Sequence, residues 1–154
     1  IYCNGEMNYT IKGKQAKVSV SWNYTAPEGT GDTHQSIMRG TKSDLIIKQG
    51  ADENFKPTLY INSKDNKGFE SKLNLSISEL QVEFPGIKAE KISDKVWKIL
   101  VPDLLKIGHE AHFEQVTNNF LKYFKKGKLP DWEIPNMKAK YYTTIEAYKL
   151  ATKN

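Results

Sequence analysis

A single cysteine, Cys3, stands in the whole sequence, which excludes an internal disulfide framework and any metal site built on several thiolates. Arginine is just as scarce. Of 23 basic residues only Arg39 is an arginine, so the planar fork that grips phosphates and guanine edges is almost missing. The net charge of +5 and the isoelectric point near 9.1 therefore rest on lysines scattered singly and in pairs, a solvated surface rather than a nucleic-acid stripe. No nucleic-acid partner is expected. The densest group, Lys122, Lys125, Lys126 and Lys128, falls where a helix should end, and cations suit that end of the dipole. No apolar run approaches the roughly 20 residues that carry a helix across a bilayer, so no membrane span is expected. A Gly-x-Ser-x-Gly elbow is also missing, and Cys3 has no evident histidine partner, so nucleophilic hydrolysis lacks its parts.

What is present fits one ordinary domain of 154 residues, with 38% hydrophobic, 11% aromatic and 27% charged residues. Residues 6–11 and 16–24 alternate or are β-branched and aromatic, and Lys12-Gly13-Lys14 between them predicts a hairpin turn. In the second run Val18, Val20, Trp22 and Tyr24 share one face, with Lys17, Ser19, Ser21 and Asn23 on the other. Residues 26–32 read as a loop from their proline and glycines. Short strands are predicted at 36–39, 44–49 and 58–61. Phe69, Leu73, Ile77, Leu80 and Phe84 then recur at helical steps until Pro85-Gly86 stops them. A second hairpin is predicted over 87–92 and 95–101. Phe113, Val116, Phe120 and Phe124 stripe a helix from Gly108 to Gly127, residues 129–135 form a crossover, and a last helix carries Met137, Tyr141, Thr144, Tyr148 and Ala151. Strands joined by short turns, then helices, predict an α+β fold: an open, mostly antiparallel sheet in a single domain spanning 1–154, with the helices packed on one face. The other sheet face lacks covering elements and is expected to meet another domain or subunit.

Three motifs suggest chemistry. Gly40-Thr41-Lys42-Ser43 looks like the end of a phosphate loop, but Thr41 separates the glycine from the lysine and the flanks read strand-turn-strand, so a hairpin turn accounts for it. His109-Glu110-Ala111-His112 puts two imidazoles one helical turn apart, without the H-E-x-x-H spacing or further ligands, and no metal site is expected. Asp32-Thr33-His34, beyond Gly29-Thr30-Gly31, admits two readings. The carboxylate and imidazole either contact a hydroxylated ligand, or Asp32 closes an Asx turn and His34 faces solvent.

The strand leading to Trp22, the segment Ala26-Pro27-Glu28-Gly29-Thr30-Gly31-Asp32-Thr33-His34, the strand and turn Met38-Arg39-Gly40-Thr41-Lys42, and the closing Gly108-His109-Glu110-Ala111-His112-Phe113 through Asn136-Met137 resemble a known domain. It is the C-terminal domain of the glucose-fructose oxidoreductase/inositol dehydrogenase (Gfo/Idh/MocA) family, in the branch of oxidoreductases from Bacteroidetes-type bacteria. The resemblance extends over most of the chain. It implies an N-terminal Rossmann domain, absent here, that binds NAD or NADP, and a C-terminal α+β domain whose open sheet forms a homo-oligomer interface while its edge closes the cleft for a sugar, polyol or similar hydroxylated substrate. A chain that starts in a strand-like pattern at Ile1 fits an excised piece. The family's catalytic Glu-Lys-Pro lysine has no counterpart, since Lys56-Pro57 follows Phe55 and leads into a strand, and the family's Asp-x-x-x-His pair is not matched. No catalytic residue, cofactor site or metal is therefore expected in this chain, which would be inactive alone. Its expected substrate contacts are Asp32, Thr33, His34, Arg39 and His109. The resemblance favours the periplasm over the cytoplasm. A second reading from another class is a free-standing carbohydrate-binding or protein-interaction module using exposed tryptophans and lysines.

Overall fold

Lys12 and Gly13 both take positive φ, 48° and 73°, and turn the chain back on itself between β1 (Gly5–Ile11) and β2 (Lys14–Val20). That is the conformation of a tight two-residue turn matching the twist of paired strands. The computed structural model describes residues 3–23, 25–65 and 67–153. β1 and β2 pair antiparallel from Gly5↔Val20 to Ile11↔Lys14, with Lys17 Nζ 2.6 Å from Glu6 Oε2 across the pair. β2 ends at Val20, four residues short of the expected strand. Its partner has run out by then, and the Trp22 backbone N–H goes instead to the Asn4 side-chain oxygen. Trp22 is exposed, and Tyr24 and Ile1 lie outside the described residues.

The described residues form two compact units. The first, Ile1–Thr25 with His109–Asn154, holds the β1–β2 hairpin and two helices, α2 (His109–Lys126) and α3 (Glu133–Ala151). α2 buries none of its residues despite its apolar stripe: Phe113, Val116, Phe120 and Phe124 are all more than half exposed, and the Phe120 and Phe124 rings stack on each other at 6.2 Å. α3 starts four residues before the expected Met137. Pro135 lies within its first turn, where a missing N–H costs nothing. A groove of about 450 Å³ runs between the hairpin and α3, lined by Met7, Val18, Val20, Ala147 and Ala151 among others.

The second unit, Ala26–Gly108, is a five-stranded antiparallel sheet in the order β3-β4-β5-β7-β6 with one helix. Its strands are β3 (His34–Arg39), β4 (Ser43–Gln49), β5 (Thr58–Ser63), β6 (Lys88–Ser93) and β7 (Val96–Leu100). α1 (Phe69–Leu80) packs on the face that alternation and register assign to Leu59, Ile61, Trp97 and Ile99. Ile61, Leu73, Trp97 and Ile99 form the buried core, and the Phe69 ring sits 5.1 Å from that of Trp97. The opposite face carries Gln35, Ile37, Arg39, Ile46, Lys48 and Tyr60. The α+β class and its antiparallel pairing are as read from the sequence, but the described strands divide into two sheets, and α1 packs on the larger one. α1 also stops at Leu80, short of Phe84. Past its end the Gln81 side chain accepts the Gly86 N–H at 2.7 Å and donates to the Ile87 carbonyl, which turns the chain into β6.

Candidate functional site

An open depression of about 390 Å³ lies at the end of β3 and β4, lined by Thr33, His34, Gln35, Lys48, Gln49, Gly50 and Glu53. The glycine-rich loop leads into it through Thr33. Thr30 N–H and hydroxyl both donate to the Pro27 carbonyl, at 3.1 and 2.6 Å, closing a turn that places Gly29 at φ 78°. Two contacts then hold the loop against the sheet. Gln49 Nε2 donates to the Asp32 carbonyl at 3.1 Å, and Gly31 lies so close to Phe55 that a methyl there would sit 3.3 Å from the Phe55 Cβ.

The floor comes from the β4–β5 connection. After Gln49 a short 3-10 turn, Ala51–Glu53, is closed by two residues in the left-handed region, Asn54 at φ 51° and Phe55 at φ 56°. An aromatic residue seldom adopts that conformation, and here the Phe55 N–H bond to the Gly50 carbonyl at 2.8 Å maintains it. The turn delivers Glu53 to the sheet. Its Oε1 accepts the Tyr60 hydroxyl at 3.2 Å, and the Lys48 ammonium lies 5.7 Å from the centre of the Tyr60 ring. Burial, then the hydrogen bond to Glu53 and the charges of Glu53 and Asp52, push the Tyr60 pKa up, so the phenol stays a donor.

Of the five residues singled out in the sequence, Thr33 and His34 line this depression, and Asp32 flanks it through its carbonyl. Arg39 lies at the far end of β3, five residues and roughly 17 Å away at strand rise, opposite Asp44. His109 opens α2 in the other unit. Gly40 to Ser43 is a turn, as its spacing indicates: Gly40 N–H donates to the Ser43 carbonyl at 2.9 Å, and Lys64 Nζ caps it by reaching the Gly40 carbonyl and Asp44, both at 2.8 Å. Sequence reasoning missed Gln35, Lys48, Gln49 and Glu53. The signal for Lys48 lay in the pairing Gln35↔Lys48, which follows once the Gly40 turn fixes the register; nothing local pointed to Glu53.

Among the described residues, no group of three His, Cys, Asp or Glu side chains is placed to share a metal ion. The described strands also lack the parallel arrangement of a Rossmann unit. Every strand pair described is antiparallel, so no strand–helix–strand unit aims a helix N-terminus at a pyrophosphate.

The profile of the family described as "Putative oxidoreductase C terminal domain" matches residues 1–152. No curated protein matches the chain. Among solved structures, the crystal structure of a protein described as a putative oxidoreductase from Parabacteroides merdae is similar over 98% of this chain, at 51% identity and a TM-score of 0.94. The match covers 35% of that protein, so the chain spans about a third of its length.

Proposed function

Because the chain belongs to the oxidoreductase C-terminal domain family, we propose that it is the substrate and oligomerisation domain of an NAD(P)-dependent oxidoreductase of the Gfo/Idh/MocA type, Bacteroidetes branch, acting on a sugar, polyol or related hydroxylated substrate. The observation that carries this reading is the polar depression at the end of β3 and β4, on a chain whose solved relative is nearly three times as long. The dinucleotide belongs on an N-terminal domain preceding this chain, where it would exchange a hydride with the substrate carbon. This chain's residues hold the substrate instead. Thr33, just ahead of β3, offers a hydroxyl, and His34, Gln35 and Gln49, on strands held in register, offer imidazole and amide groups that hydroxylated ligands can use. The middle of the sheet face opposite α1, around Ile37 and Ile46, serves as the subunit interface in this reading.

The test is kinetic. In the full-length protein with its best sugar substrate, His34→Ala should raise KM about 5-fold, the loss of one hydrogen bond, while dinucleotide binding stays as in the wild type. An unchanged KM removes His34 from the cleft, and a full-length protein that reduces no nicotinamide with any hydroxylated substrate removes the enzyme reading.

A further inference from the structure

Glu53, Tyr60 and Lys48 make up a charged cluster that the loop motif does not explain. Tyr60 spends its proton on Glu53 Oε1, which fixes the carboxylate, while Oε2 accepts no hydrogen bond from any described residue. Lys48 makes no ion pair among the described residues, and its ammonium is held over the Tyr60 ring on the same sheet face. Both groups line the same depression. A fixed acceptor and an unspent donor lining one depression match adjacent hydroxyls, each of which can donate to a carboxylate or accept from an ammonium. The charges also discriminate: Lys48 and Glu53 offset each other, and Asp52, whose charge acts on Tyr60, adds a second negative charge next to the depression, which disfavours a carboxylate or phosphate on the ligand.

We propose that Glu53, oriented by Tyr60, and Lys48 form a vicinal-diol clamp that selects neutral sugars and polyols over sugar acids and sugar phosphates. The clamp rests on the reading of this chain as a substrate domain and deepens it. Gly50 lies beside it: a methyl there would meet Glu53 Oε2 at 3.5 Å, an ordinary van der Waals contact, on an extended backbone (φ −149°) open to any residue.

The experiment titrates the full-length protein, saturated with its dinucleotide, with glucose, galactose and xylose against glucuronate, galacturonate and glucose 6-phosphate. Wild type should bind a neutral sugar at least about 10-fold more tightly than its anionic counterpart. Glu53→Gln should lose about 10-fold for the neutral sugar, one charge-assisted hydrogen bond, and narrow the preference against anions. Lys48→Met should weaken the neutral sugar while leaving anions excluded, and Tyr60→Phe, which keeps the ring and the fold, should cost about 3-fold. The clamp is overturned if an anionic sugar binds wild type more tightly, if Glu53→Gln and Lys48→Met bind as wild type does, or if no sugar of the panel binds. The two readings fail separately. Dinucleotide binding and turnover with unaffected variants would overturn the clamp alone, whereas the neutral-over-anionic preference without any dinucleotide binding would overturn the oxidoreductase reading alone.

Discussion

Gly40 shows how one residue fixes a site it does not touch. A Cβ at this position would lie 2.7 Å from the Ser43 carbonyl oxygen, a backbone atom that accepts the Gly40 N–H and cannot retreat. Gly40→Ala should therefore lower stability by about 1–3 kcal/mol, whereas Thr41→Ala in the same turn should stay within about 0.5 kcal/mol. Urea midpoints compare them, and equal midpoints would mean the turn is slack. The same turn sets the register that puts Lys48 beside Gln35, so the glycine loss should also weaken ligand binding. Tyr60 supplies a pH signature. Its pKa is raised, first by burial and then by Glu53, so the folded state favours the protonated phenol more than the unfolded chain does. A group with a raised folded pKa contributes stability that is fully present below the unfolded value, about 10 for tyrosine, and is lost as pH rises through the folded one. The stability difference between wild type and Tyr60→Phe should accordingly move against wild type above pH of about 10 and stay constant below it. A difference flat across that range would show that the phenol and Glu53 are uncoupled.

Among the elements, α1 and α2 carry similar apolar stripes but have different surroundings. α1 buries Leu73 and packs Phe69 and Ile77 against the core, so Leu73→Ala should cost about 2–4 kcal/mol. α2 buries nothing, and Phe120, 59% exposed, should cost under about 1 kcal/mol when replaced by alanine in residues 1–154 alone. In the full-length protein the same substitution should cost more if the rest of the molecule or a second copy covers this stripe. Thermal unfolding of both forms measures the contrast, and equal costs would leave α2 a solvent-facing helix. These elements also show what the sequence made readable. The Lys12-Gly13 turn, the Gly40 turn and the spacing of Phe69, Leu73 and Ile77 are local signals, and the structure follows them. The end of β2 was not readable, because Val20 is its last paired residue only through the length of β1. α3 begins at Glu133, inside the stretch expected as a crossover, because Pro135 occupies its first turn, where proline is tolerated. Thr33 and His34 could be singled out from a glycine-rich loop, but Lys48 reaches the site through strand register, and Glu53 through a turn closed by two residues at positive φ.

For the whole molecule, the family match over residues 1–152 and a relative nearly three times as long identify the chain as an oxidoreductase C-terminal domain. Its described strands pair antiparallel, without the parallel strand–helix–strand unit of a Rossmann fold, and the end of its larger sheet holds a polar depression. In the proposed enzyme the labour is divided accordingly: the nicotinamide sits on the N-terminal domain, and the hydroxyl-bearing substrate is held by β3, β4 and the turn after them. The most direct measurement is the stoichiometry of NAD and NADP binding by isothermal titration, made on the full-length protein and on residues 1–154 alone. The account predicts one dinucleotide per chain for the full-length protein and none for residues 1–154; dinucleotide binding by residues 1–154, or its absence from the full-length protein, would contradict it.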